Sequence, residues 1–260
     1  VAWVLLQKGD AQGQLGEFSS AIETYDEAIT RIGDSDTPEL LRWISLVLSQ
    51  KGDTQGKLGE FASAIATYDE AIARIGDSSN PQDMVILVLA RKGMRQIEMG
   101  HTGEALHTCE EIERKLGVLA DDDKMRFALR VIWMRMQVLL VQGQHQAAMD
   151  TFRSAYAVFV PGNETMMYWM QRIVLDLVVA GASTRELVEI LESDSVKSDA
   201  LVPLIVALRR YTGEAVRAPE EIFEVATDIL KRIGERMAGD AGVDSDDLAS
   251  LSDFVEGDRE

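Results

Sequence analysis

The chain is predicted to be all-α, an α-solenoid of antiparallel helix pairs stacked one on the next. Three observations carry this. Residues 8–36 and 51–79 are identical at 23 of 29 positions, at an offset of 43, and self-similarity at a fixed period in this range is the signature of stacked repeats. Within each copy the apolar residues recur at three- and four-residue spacing, the period of a helix face. Aromatic residues make up 6% of the chain and strand-type alternation is hard to find, which argues against a sandwich or barrel.

The elements follow in order. The first unit spans about residues 1–36, with an apolar opening at Val1–Leu6, a break at Gly16, and Phe18, Ala21, Tyr25 and Ala28 on one face of a second helix. In the second unit, about 37–79, Thr37-Pro38-Glu39 supplies an N-cap, a proline at the first helical position and an acid in the first turn. That helix runs to about Leu58, and Gly59 breaks it. A second helix from Glu60 to Ile75 carries Phe61, Ala64, Ile65, Tyr68, Ala71 and Ile72, with Gly76 as its C-cap. The third unit, about 80–120, opens on Asn80-Pro81 and keeps Lys92-Gly93, Gly100, Ala105 and Gly117 at an offset of 41. The fourth, about 121–160, places Gly143, Ala148, Phe152 and Ala155 at an offset of 43. Gly9, Gly52 and Gly93 are expected to let paired helices cross closely, with Ala21, Ala64 and Ala105 opposite them.

Residues 161–238 are expected to form degenerate helical repeats and a capping helix. Asn163 caps a helix to about Ala180, and Gly181 ends it. Ser183-Thr184-Arg185-Glu186 reads as a capping box for a short helix to Leu191. Further helices are expected near Ala200–Tyr211 and from Pro219 onward. Residues 239–260 hold eight acids and one base, the composition of a disordered tail.

The spacing of Gly52, Gly59, Phe61, Ala64, Tyr68 and Ala71, repeated by Gly9, Gly16, Phe18, Ala21, Tyr25 and Ala28, resembles the tetratricopeptide repeat. Two features depart from that pattern. The period is 43 rather than ~34 residues, similar to arrays in bacterial multidomain proteins. Lys8, Lys51 and Lys92 stand where an apolar residue is usual, and Gln12, Gln55 and Gln96 where an aromatic is usual. The resemblance implies a right-handed superhelix whose first helices line a concave groove for an extended peptide or helix. By register the groove positions are Trp3, Leu6, Asp10 and Gln14; Leu46, Ser49, Asp53 and Lys57; Leu87, Ala90, Met94 and Glu98; and Arg130, Trp133, Gln137 and Val141. Trp3 and Trp133 are the expected aromatic anchors. Asp10 and Asp53 fall where the variant that clamps a C-terminal carboxylate has Asn, so a partner with basic and apolar character is expected instead. Gly13 and Gly56 recur at groove-facing positions, although glycine inside a helix costs ~1 kcal/mol relative to alanine. They either admit a close neighbour or record the duplication.

Catalytic chemistry finds no footing in the sequence. Phosphate-loop, dinucleotide, nucleophile-elbow and zincin motifs are all missing. The three histidines are isolated: His101 and His145 are expected in turns and His107 on a second helix. Cys109 takes the place of core Tyr68, so it is expected to be a buried, inert thiol. As the lone cysteine it allows no intramolecular disulfide. Asp121-Asp122-Asp123 reads as a helix cap, and the Met166-Met167-Tyr168-Trp169-Met170 run as packing. No cofactor or metal is expected. A net charge of −18 repels nucleic acid and anionic membrane surfaces. The start lacks both Met and a signal peptide and looks cut from something longer, and a cytoplasmic location is expected.

The expected function is therefore a non-catalytic protein-interaction scaffold. Two alternatives stand beside it: a sensor arm of a larger signalling ATPase or similar enzyme, and a self-association domain using the exposed Trp3 and Trp43.

Overall fold

A computed structural model describes residues 2–33, 37–76, 82–117 and 121–238. Among them are thirteen helices and no strand. The chain divides into two compact units, Val1–Ala155 and Tyr156–Glu260.

The first unit is built from α1 (Ala2–Gln14), α2 (Phe18–Ile32), α3 (Pro38–Lys57), α4 (Phe61–Ile75), α5 (Gln82–Glu98), α6 (Thr102–Leu116), α7 (Asp121–Val141) and α8 (His145–Val158), the last crossing into the second. α1 packs on α2, α3 on α4 and α5 on α6, and each second helix packs on the next first helix. This is the stacking of a tetratricopeptide-type solenoid. The first helices also touch one another, α1 to α3, α3 to α5 and α5 to α7, and so form one continuous row.

Local signals explain the boundaries. Thr37 has the extended backbone of an N-cap and Pro38 sits in the first turn of α3, although the Thr37 side chain makes no capping bond. Gly16, Gly59, Gly100 and Gly143 turn the chain between α1 and α2, α3 and α4, α5 and α6, and α7 and α8, at φ of 78°, 80°, 75° and 71°, a region that L side chains resist. His145 is the first residue of α8 rather than part of the turn. The long period is spent on first helices: α3, α5 and α7 have 20, 17 and 21 residues, against 15 in α4 and α6 and 14 in α8. Asn80-Pro81, the side chains of Asp121-Asp122-Asp123 and the acidic segment 239–260 lie outside the described residues.

The close crossing of paired helices differs from expectation in one respect. A Cβ on Gly52 would lie 2.5 Å from Cε1 of Tyr68, and Gly9 meets the ring of Tyr25 in the same way. The glycine thus admits the tyrosine ring, and Ala21, Ala64 and Ala105 are fully buried. In the third pair Cys109 replaces the tyrosine, and the Met134 methyl group from α7 fills the space over Gly93.

The glutamines that replace the family's aromatic have a structural role. Thr24, Thr67 and Thr108 each donate a hydroxyl to the Oε1 of Gln12, Gln55 and Gln96, at 2.7, 2.7 and 2.8 Å. These clasps join the two helices of three successive pairs, and the hydrogen bond offsets the cost of taking the polar atoms out of water. The lysines join one pair to the next: Lys51 reaches Asp26 at 2.6 Å, Lys92 reaches Asp69 at 2.6 Å, and Arg135 reaches Glu113 at 2.9 Å.

The second unit contains α9 (Glu164–Val179), α10 (Thr184–Leu191), α11 (Ser195–Ala200), α12 (Val202–Tyr211) and α13 (Glu220–Met237). Asn163 caps α9 by accepting from Met166 N, and Ser183 caps α10 by accepting from Glu186 N. Met166, Trp169 and Met170 are buried, as packing requires. Asp194 accepts from Val196 N and Lys197 N to open the short α11, a helix the sequence reading omits. Asp176 on α9 receives Arg236 of α13 and, at 3.8 Å, Arg172.

Candidate functional site

The row of first helices gathers most of the groove positions, but burial sorts them. Trp3, Gln14, Lys57 and Val141 are exposed, while Asp10, Asp53, Leu87, Met94, Arg130 and Gln137 are half-buried. Leu6, Leu46, Ser49, Ala90 and Trp133 are buried and offer no face to a partner. Trp133 is only 2% exposed, so its expected role as an anchor is corrected to that of a core side chain. Register places a residue on a helix, but the neighbours that cover it are set by helix crossing. Trp3 packs edge-on against Trp43, with ring centroids 5.7 Å apart.

The two groove acids are already engaged. Tyr25 donates to Asp10 at 2.7 Å and Tyr68 donates to Asp53 at 2.6 Å. Asp53 also forms an ion pair with Arg91 of α5. Burial raises the Asp10 carboxyl above its ordinary range, against the opposing pull of the Tyr25 hydrogen bond and the Arg91 and Lys57 charges. Burial also raises both tyrosine hydroxyls. Arg95, 6% exposed, pairs with Glu98 at 2.6 Å, and burial raises the Glu98 carboxyl. Lys57 is lowered, first by burial and then by the nearby Arg95 charge. Buried Arg91 and Arg95 thus pair with Asp53 and Glu98 beneath the row, and the exposed Lys57 lies within the fields of Arg95 and Asp10.

The two helix-interior glycines differ. A Cβ on Gly13 meets nothing within 4 Å, whereas one on Gly56 would lie 2.8 Å from Arg95 Nη1. Gly56 makes room for the arginine that spans α3 and α5, and Gly13 admits nothing. The constant spacing from glutamine to threonine was visible in the sequence, and checking for polar side chains twelve residues on would have found the clasps.

Elsewhere the chemistry is structural. Cys109 is buried, and burial pushes its thiol up to about 12, which keeps it protonated and unreactive. A cleft of about 510 Å³ between α10 and α12 is lined by Val188, Glu192, Arg209 and Glu214 among others. Arg209 there is already held by both oxygens of Glu192, at 2.8 and 2.9 Å, and by Glu214 at 3.1 Å. Among the described residues no group of three His, Cys, Asp or Glu side chains is placed to hold a metal, and no helix is long and apolar enough to cross a membrane.

A family model described as the tetratricopeptide repeat matches residues 4–34 and 47–77. These ranges cover α1 with α2, and the second half of α3 with α4. No curated protein matches the chain.

Proposed function

We propose that this chain, a tetratricopeptide-repeat protein, is a non-catalytic module that holds a segment of a protein partner along its row of first helices. Repeats of this kind generally mediate protein–protein interaction. The observation that carries the finer reading is the combination of Leu87, Met94 and exposed Lys57 on adjacent helices, an adaptable apolar surface beside a cation.

The engagement of Asp10 by Tyr25, and of Asp53 by Tyr68 and Arg91, bears on partner chemistry. A basic partner must displace Arg91 to reach Asp53. A segment with apolar side chains and a carboxylate meets Met94, Leu87 and Lys57 without disturbing the framework, and this is the chemistry we assign. A cytoplasmic setting belongs to the same reading.

The test is capture of partners by the intact chain and by a Lys57→Glu, Met94→Glu variant, with helix content checked by circular dichroism. The expected result is loss of the captured partner by a folded variant. Equal capture by both proteins contradicts the reading.

A further inference from the structure

Lys57 stands apart from the lysines that hold the structure together. Lys51 and Lys92 close ion pairs with Asp26 and Asp69, each at 2.6 Å, and Lys197 donates to the carbonyls of Tyr156 and Ala157, each at 2.9 Å. Lys57 is exposed in the last turn of α3, and among the described residues no carboxylate or carbonyl pairs with its amine.

What stands beside it is a fixed cation. Gly56, its neighbour in the chain, makes room for the guanidinium of Arg95 from α5, since a Cβ there would lie 2.8 Å from Arg95 Nη1. Arg95 is held in that slot, 6% exposed and paired with Glu98 at 2.6 Å, so its charge stays beside α3. Burial, and then Arg95, pull the Lys57 amine below the ordinary lysine value of 10.5, while Asp10 on α1 pulls the other way. The neutral amine carries the lone pair that attacks an electrophile, and a lysine set against another cation reaches that form more readily. An exposed residue, an unpaired nitrogen and a fixed neighbouring cation therefore meet at one position.

We propose that Lys57 is a site of covalent acylation that takes its acyl group from an acyl phosphate. The Nζ lone pair attacks the acyl carbon and forms the C–N bond. The C–O bond to phosphate breaks, inorganic phosphate leaves with the bonding pair, and the amine proton passes to water. The field of Arg95 attracts the anionic phosphate and so favours this donor over an uncharged one. The amide formed is neutral, so acylation deletes the cation that lies beside Leu87 and Met94. This reactivity belongs to the free chain and goes beyond the reading of that surface as a partner site.

The experiment is brief incubation of the full chain with acetyl phosphate at neutral pH, with acetylated lysines quantified by peptide mass spectrometry. Lys57 is expected to be acetylated several-fold faster than Lys8 and Lys231, which are also exposed. Asp10→Asn removes the opposing pull and is expected to speed acetylation of Lys57 alone. Arg95→Gln, with helix content checked by circular dichroism, is expected to slow it alone. The lead of Lys57 is expected to shrink when a neutral acetyl ester replaces acetyl phosphate, and an undiminished lead overturns the choice of donor. Acetylation of Lys57 no faster than that of Lys231, or a rate that Asp10→Asn leaves unchanged, overturns the proposal.

Discussion

The hydroxyl of Tyr68 donates to Asp53 at 2.6 Å while the ring edge occupies the space that a side chain on Gly52 would need. One residue thus sets both the distance between α3 and α4 and the orientation of a carboxylate on the row of first helices. The same relationship between Tyr25, Gly9 and Asp10 recurs one repeat earlier, so the packing and the electrostatics of the surface share one origin.

Glycine-to-alanine substitutions separate the close approaches from the open ones. Gly52→Ala forces the Tyr68 ring out of place and is expected to cost about 1–3 kcal/mol, as overpacking of a core does. Gly13→Ala meets open space and is expected to stabilise by up to about 1 kcal/mol. Thermal melts of the two variants beside the parent check both signs.

The threonine clasp has a directional test. Thr67→Val leaves Gln55 Oε1 without its donor in a buried position and is expected to cost about 1–3 kcal/mol. Adding Gln55→Met removes the orphaned acceptor and is expected to recover part of that loss. Denaturant unfolding of the single and double variants measures the coupling.

Asp10 gives the surface a pH signature. Its carboxyl is raised in the folded chain, mainly by burial, above an ordinary value near 3.8. The folded state therefore binds the proton more tightly than the unfolded chain. The stability linked to that proton is fully present below the unfolded value and is lost as pH rises through the folded one. Asp10→Asn keeps an acceptor for Tyr25 without the titration. The melting temperature of the variant minus that of the parent is expected to increase from pH 3.5 to pH 7, and a flat or falling difference contradicts the assignment.

Cys109 is expected to resist thiol reagents in the folded chain at neutral pH and to react promptly once the chain is unfolded. Its burial and a thiol raised to about 12 leave little thiolate to attack. A colorimetric thiol titration with and without denaturant reads the difference.

The fold was legible wherever a local signal fixes the backbone. Thr37-Pro38 opens α3, Gly59 and Gly76 bound α4, and Asn163 and Ser183 cap α9 and α10. Helix α11 was missed because six residues are too few to show a period, although Asp194 carried the cap signal. The site was less legible. Register gives a residue's position on its helix, but the burial of Trp133 and Leu46 depends on how neighbouring helices cross. The charges of Asp10 and Asp53 could be read, whereas their engagement could not, because Tyr68 lies fifteen residues on and Arg91 belongs to another repeat.

The central claim is that a protein partner lies along the first helices, and oxidative footprinting of side chains with and without the captured partner tests it most directly. Met94 on α5 and Trp3 on α1 are expected to become protected, while His107, exposed on second helix α6, keeps its reactivity. Protection of His107 with Met94 and Trp3 unchanged would place the partner on the opposite layer and contradict the account.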